Sequence, residues 1–248
     1  MANNSRIEWT EATWNPVVGC TKVSAGCKHC YAEVMARRLQ AMGAPGYELG
    51  FRKIRLRPEK LDEPLRRTKP TVYFVNSMSD LFHPHVPEWF IDQVFATMRA
   101  ATRHTFQVLT KRPERMAEYL GRRRVPDHVW LGTTVENRRH GVPRIDHLRK
   151  TRAQTRFLSI EPLLEDIGKV NLRGIAWVIV GGESGIGARP MKPEWARNVQ
   201  QQCESAGVSF FFKQWGAHGE DGVRRSKKRN GRLLDGQQWD EMPVLADV

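Results

Sequence analysis

From about residue 70 onward, short runs rich in Val, Ile, Phe and Trp alternate with longer amphipathic stretches, and this alternation constrains the fold more than any other feature. A short apolar run suits a strand buried on both faces, and an amphipathic stretch suits a helix that carries the chain back to start the next parallel strand. Strands are expected over residues 71–75, 105–109, 128–131, 156–160, 176–180 and 208–212, with a further one within 12–18. Helical spacing covers residues 87–101 and 192–206, each with a proline near its start, where a missing N–H does no harm. The expected fold is therefore α/β, a partial or complete (β/α) barrel of about 6–7 parallel strands, with an open doubly wound sheet as the other arrangement of such units.

Neither a long linker nor a low-complexity segment interrupts residues 1–215, so one barrel is expected there, with its cysteine-bearing loop near the N-terminus. Residues 216–248 differ in being a basic extension expected to pack on the barrel. In it Arg224-Arg225-Ser226-Lys227-Lys228-Arg229-Asn230-Gly231-Arg232 holds an Asn-Gly turn, and Leu233-Leu234-Asp235-Gly236 leads to Trp239, which reads as a hairpin-like appendage. The basic run itself reads as phosphate contacts or as a solvated face.

Forty Lys and Arg against 27 Asp and Glu leave a net charge of +13 over 248 residues. Such a surplus steers phosphate-bearing ligands toward the surface, although it also serves solubility alone. No apolar stretch reaches the length of a membrane span, and the start MANNSRIEWTEATWNP lacks the apolar core of a secretory signal. The expected location is cytoplasmic, with no membrane partner. The sequence leaves the oligomeric state open.

Three of the four cysteines, Cys20, Cys27 and Cys30, fall within the glycine-bearing segment Gly19-Cys20-Thr21-Lys22-Val23-Ser24-Ala25-Gly26-Cys27-Lys28-His29-Cys30. In a reducing compartment this C-x6-C-x2-C cluster reads as a metal site. Zinc would need a fourth ligand from His29, His83, His85 or Cys203. A [4Fe-4S] cluster held by three thiolates leaves one iron open to an outside ligand.

The loop resembles the three-cysteine loop of radical S-adenosylmethionine enzymes, with a longer first gap and with His29 where that family carries an aromatic residue. Thr13-Trp14-Asn15-Pro16, Ser77-Met78-Ser79-Asp80-Leu81-Phe82-His83, Leu109-Thr110-Lys111-Arg112-Pro113 and Gly181-Gly182-Glu183-Ser184-Gly185 together resemble the three-cysteine-motif family of phages and bacteria. The resemblance implies a [4Fe-4S] cluster on Cys20, Cys27 and Cys30, with S-adenosylmethionine on its open iron. It also implies an external electron donor and cleavage of the cofactor to a 5′-deoxyadenosyl radical that abstracts hydrogen from the substrate. Gly181, Gly182 and Glu183 are similar to the Gly-Gly-Glu element that touches the methionine amino group in that family, although here the element follows a late strand.

Polar residues at the expected strand ends, where α/β folds bind ligands, supply the other candidates. Asn76, Ser77, Ser79 and Asp80 suit an ammonium or ribose hydroxyls, and Thr133, Glu136, Ser159 and Glu161 suit adenosine or substrate. The cations Lys111, Arg112, Arg189 and Lys213 and the aromatics Trp14, Phe82 and Trp215 are candidates for holding a flipped or single-stranded base. With nucleic acid as substrate, DNA ahead of RNA, the compatible reactions are reversal of a thymine photolesion, as in spore photoproduct lyases, and base modification. Cys203, Tyr31 and Tyr73 are the candidate hydrogen-atom donors. A reading of a different class is a zinc-stabilised nucleic-acid-binding accessory protein without catalysis.

Overall fold

The computed structural model describes residue 5, residues 7–121 and residues 123–243. It divides into two compact units, one of Met1–Val23, Cys30–Leu131 and Lys150–Gln154, the other of Ser24–His29, Gly132–Arg149 and Thr155–Val248.

The first unit carries, in chain order, β1 (Ala12–Trp14), β2 (Val17–Val18), α1 (Tyr31–Ala41), β3 (Arg55–Leu56), α2 (Glu63–Arg66), β4 (Val72–Val75), α3 (Glu88–Ala100), β5 (Thr105–Thr110) and α4 (Pro113–Leu120). The strand expected within 12–18 is broken in two. Pro16 has no N–H to give to a ladder, so β1 stops before it and pairs parallel with β4, while β2 pairs antiparallel with β3. Strand β4 pairs parallel with β5, placing Val75 beside Val108. Tyr73 and Phe106 stack at 5.5 Å, and α3 closes over the core with Phe90, Ile91, Val94, Phe95 and Met98 at helical spacing.

Strand β6 (Val129–Thr134) begins in the first unit and ends in the second, which continues with α5 (Arg144–Arg149), β7 (Arg156–Ile160), β8 (Trp177–Gly181), α6 (Pro193–Ala206), β9 (Ser209–Gln214), α7 (Lys227–Asn230), β10 (Leu233–Leu234) and β11 (Gln237–Gln238). Strand β8 is parallel to both β7 and β9, with a register shift between Val180 and Gly181. Every residue of β8 is buried, as in a sheet covered on both faces. Helix α6 buries Ala196, Val199 and Cys203, starts on Pro193 and stops at Gly207, whose left-handed φ of 62° closes the last turn.

Seven parallel strands are hydrogen-bonded in the order β1-β4-β5-β6-β7-β8-β9, an α/β fold. From β4 to β9 the order simply follows the chain. A doubly wound sheet would reverse direction at a switch point, and this order contains no reversal, so the winding is that of a barrel. The order is linear, with β1 and β9 as its edges, so the sheet is open.

The C-terminal hairpin is present as β10 and β11, antiparallel, but its turn is not the expected Asn230-Gly231. Asp235 and Gly236 make it, with φ of 53° and 74°, the pair of positive values that a tight two-residue hairpin turn requires. Asn230 instead ends α7, and Gly231 follows it as the cap. Among the described residues no helix is long and apolar enough to cross a membrane.

Candidate functional site

In the first unit the polar ends of β4 and β5 are knit together by Asp80. Its Oδ1 accepts from Thr110 Oγ1 at 2.7 Å and from the Phe82 amide at 3.0 Å, and its Oδ2 accepts from the Lys111 amide at 3.1 Å and Arg112 Nη1 at 2.9 Å. Arg112 precedes α4, and its guanidinium reaches across to the cysteine-bearing segment. Nη2 donates to Thr21 O at 3.0 Å and to Thr21 Oγ1 at 3.1 Å, and Nη1 lies 3.7 Å from Cys20 Sγ. Burial works against the charged guanidinium, but the Asp80 carboxylate and Cys20 outweigh it and raise the Arg112 pKa.

His83 completes this network. Its Nδ1 accepts from the His85 amide at 3.1 Å, which leaves the proton on Nε2, 2.8 Å from Thr21 Oγ1. Burial, followed by the charges of Arg112 and His85, pushes the imidazole pKa down to about 4 against the pull of Asp80.

Around the end of β4, Asn15 Oδ1 accepts from the Met78 amide at 2.9 Å, Ser77 Oγ lies 3.2 Å from Asn15, and Ser79 Oγ donates to Val17 O at 2.7 Å. Asn76 holds a left-handed φ of 60°, which asparagine tolerates better than most residues. Its side chain is buried, and Nδ2 has no hydrogen-bond partner among the described residues. Tyr31 is 57% exposed, with its hydroxyl donating to Ser77 O at 2.5 Å.

In the second unit each candidate carboxylate is matched by a cation. Glu136 accepts from Arg144 Nη1 at 2.6 Å and from Ser24 Oγ, both carboxylate and guanidinium being buried. Glu161 accepts from Ser159 Oγ at 3.2 Å and pairs with Lys213 Nζ at 3.1 Å. Glu183 accepts from Arg189 Nη2 at 2.6 Å and from both Arg189 Nε and the Arg189 amide at 2.9 Å. Burial would raise the Glu183 carboxyl, but the hydrogen bonds and charge of Arg189, aided by His29, hold its pKa below the usual range.

Arg189 Nη2 also donates to Ala25 O at 3.0 Å, so the Gly-Gly-Glu turn and the segment carrying Cys27 are tied by one side chain. Two glycines, one in each segment, allow close contacts with other neighbours. A Cβ on Gly26 would stand 2.9 Å from Glu136 Oε1, and one on Gly182 would stand 1.9 Å from the Trp215 carbonyl oxygen. His29 lies against Gly187, where a Cβ would meet the ring at 2.9 Å. Gln214 donates through Nε2 to Gly182 O at 3.2 Å and Ser184 Oγ at 3.0 Å, and its Oε1 is buried without a hydrogen-bond partner among the described residues.

Cys20, Cys27 and Cys30 are in no disulfide and are of intermediate exposure, and thiolates are donors that suit a soft metal centre. Cys20 and Cys30 belong to the first unit and Cys27 to the second, where Ser24 Oγ lies 3.9 Å from its Sγ. Among the described residues no group of three or more His, Cys, Asp or Glu side chains is arranged to hold a metal ion. The fit to an iron–sulfur cluster is therefore one of donor chemistry.

Other candidates lie inside the protein. Trp14, Phe82 and Trp215 are core residues, at most 2% exposed, with the Trp14 and Trp215 indole N–H groups given to Lys60 O and Leu233 O. Thr133 is fully buried in β6. Tyr73 is stacked on Phe106, and burial raises its pKa. Cys203 is sealed on the buried face of α6, where burial and then the Glu241 charge push its thiol up to about 12. Sequence reading missed Thr21, Ser24, Thr110 and Arg144. Ser24 stands between the cysteines, whereas nothing in the local pattern marks Arg144 as the partner of Glu136.

A family model described as a protein of unknown function (DUF5131) matches residues 4–243. No curated protein matches the chain. Among solved structures, a mutant of spore photoproduct lyase is 14% identical with a TM-score of 0.48, covering 78% of this chain and 61% of its own. Spore photoproduct lyase complexed with dinucleoside spore photoproduct is 13% identical with a TM-score of 0.40, covering 75% and 58%. The chain thus spans about three fifths of the length of these enzymes.

Proposed function

The chain belongs to the DUF5131 family, and we propose that it is an iron–sulfur enzyme of the radical S-adenosylmethionine type acting on nucleic acid. DNA stands ahead of RNA, and the reaction is reversal of a thymine photolesion or modification of a base. The observation that carries the reading is the set of three partly exposed cysteines, none in a disulfide, within eleven residues, with the Arg112 guanidinium 3.7 Å from the first. A cation beside a sulfur favours its thiolate, the form that binds metal. Cys20, Cys27 and Cys30 would hold a [4Fe-4S] cluster. With S-adenosylmethionine, that group supplies one-electron cleavage of a sulfonium and hydrogen abstraction.

The chain's own residues bind and orient. Asn76 Nδ2, a buried donor without a partner among the described residues, suits a ligand carboxylate, and Gln214 Oε1, a buried acceptor, suits an ammonium. Asp80 and Arg112 hold the Thr21 turn next to Cys20. Arg189 holds the segment before Cys27 against Glu183. Of the three candidate hydrogen-atom donors, exposed Tyr31 takes that role, because Cys203 and Tyr73 are buried.

The test is anaerobic incubation with a reductant and S-adenosylmethionine. The expected result is formation of 5′-deoxyadenosine, abolished in Cys27→Ala. A chain that carries its cluster and forms none would overturn the reading.

A further inference from the structure

Four of the cations near the strand ends are matched by carboxylates: Arg112 by Asp80, Arg144 by Glu136, Arg189 by Glu183 and Lys213 by Glu161. These pairs contribute nothing to the net charge of +13. Within the second unit, at the amino ends of β8 and β9, the segment 169–175 and the C-terminal part of α6 form a groove of two compartments. Their volumes are about 710 Å³ and about 530 Å³, and they share Lys169, Val170, Leu172 and Ala206 as walls.

The floor is apolar: Val170, Leu172, Ile175 and Val208 are each less than a tenth exposed. Lys169 and Arg173 stand exposed on the wall. Neither has an ion-pair partner among the described residues, and no carboxylate lines either compartment. The carbonyls of the wall are turned onto further cations. Arg149 donates through Nε to Arg173 O at 3.0 Å and through Nη2 to Asn171 O, and Arg156 Nη1 lies 3.4 Å from Gly174 O. Burial, and after it the Arg149 charge, lowers the Arg156 pKa, consistent with a positive field in this wall. Asp146, which pairs with Arg149 at 2.6 Å, is the one carboxylate in this set.

We propose that this groove binds a single strand of nucleic acid, with phosphates against Lys169 and Arg173 and unpaired bases on the apolar floor. A cationic wall over an apolar floor meets the two demands of an unpaired strand, charge for the backbone and a dry surface for the bases. Each compartment is large enough for a small ligand, so the pair suits successive nucleotides. The groove lies at the strand ends remote from Glu161 and Glu183, and so is a second contact surface rather than part of the reacting site. The proposal rests on the nucleic-acid part of the functional reading and is independent of the cluster.

The experiment is fluorescence anisotropy of a labelled single-stranded DNA oligonucleotide with the full chain, anaerobically reconstituted, across a salt series. Each phosphate contact to a single strand contributes about 0.7 to the slope of log affinity against log salt, so K169Q/R173Q should lower the slope by about 1.4. Ala206→Trp, filling the shared wall at an exposed helix end, should weaken binding at every salt concentration and leave the slope unchanged. Thermal melts of both variants should match the wild type. Tight wild-type binding that neither variant alters, or that K228Q/R229Q lowers equally, overturns the groove and leaves the nucleic-acid reading standing. Preference for duplex over single strand also overturns the groove. A wild-type chain that binds no oligonucleotide overturns both.

Discussion

Arg112 Nη1 lies 2.9 Å from Asp80 Oδ2, with side-chain exposures of 10% and 7%. Arg112 also touches Thr21 and Cys20, so the pair fixes the start of the cysteine-bearing segment against the end of β5. A buried pair of this kind stabilises little compared with apolar packing, but removal of one member leaves the other charge without compensation.

Asp80→Asn therefore has a definite expected outcome. The substitution should destabilise the protein by about 3 kcal/mol in urea unfolding, the scale for a stranded buried charge. It should also lower the alkylation rate of Cys20, because the guanidinium that favours its thiolate is no longer held beside it. A loss below about 1 kcal/mol would show that water reaches Arg112.

His83 should make stability depend on pH in a particular window. Its folded pKa is about 4 against an ordinary value of 6.5, so the unfolded chain takes up the proton first as pH falls. The contribution is complete above the ordinary value and is lost as pH falls from there toward the folded value. His83→Gln should flatten that part of the profile relative to wild type, read as the difference between their urea midpoints. Parallel profiles would contradict the buried neutral imidazole.

Arg189→Met should strand the Glu183 carboxylate and release Ala25 O. The expected loss is about 3 kcal/mol at neutral pH. It should shrink in acid, because the depressed Glu183 pKa contributes stability only while the carboxyl is ionised. Amide exchange at Cys27, whose N–H donates to Ser24 O at 3.0 Å, should quicken in the same variant. Unchanged exchange would mean that the turn of 24–27 holds itself.

Gly182→Ala tests the close approach behind the Gly-Gly-Glu turn. The added methyl would meet the Trp215 carbonyl oxygen at 1.9 Å, a backbone atom that can move only with β9. The expected effect is a loss of about 3 kcal/mol, or no folded protein. Gly26→Ala, whose methyl would meet the side-chain oxygen of Glu136 at 2.9 Å, should be milder. The order of the two melting temperatures checks this.

The strand positions were legible in the sequence because fully buried parallel strands leave apolar runs. Residues 156–160 coincide with β7, and 105–109 falls one residue short of β5. Strand β6 runs three residues past its expected end through Gly132-Thr133-Thr134, because its polar ladder continues where the apolar signal stops. The pairing of strand-end groups was not legible. Asp80 and Arg112 are 32 residues apart, and Glu161 and Lys213 meet across β8, so no local period records them. Trp14, Phe82 and Trp215 illustrate the same limit, since an aromatic next to a polar strand end reads alike whether it faces a ligand or the core.

The most direct measurement is the metal content of anaerobically reconstituted full-length protein. The iron–sulfur account expects about four irons per chain with matching sulfide, a brown colour, and loss of both in Cys20→Ala, Cys27→Ala and Cys30→Ala. One tightly held zinc per chain and no colour would contradict it and leave a zinc-stabilised binding protein in its place.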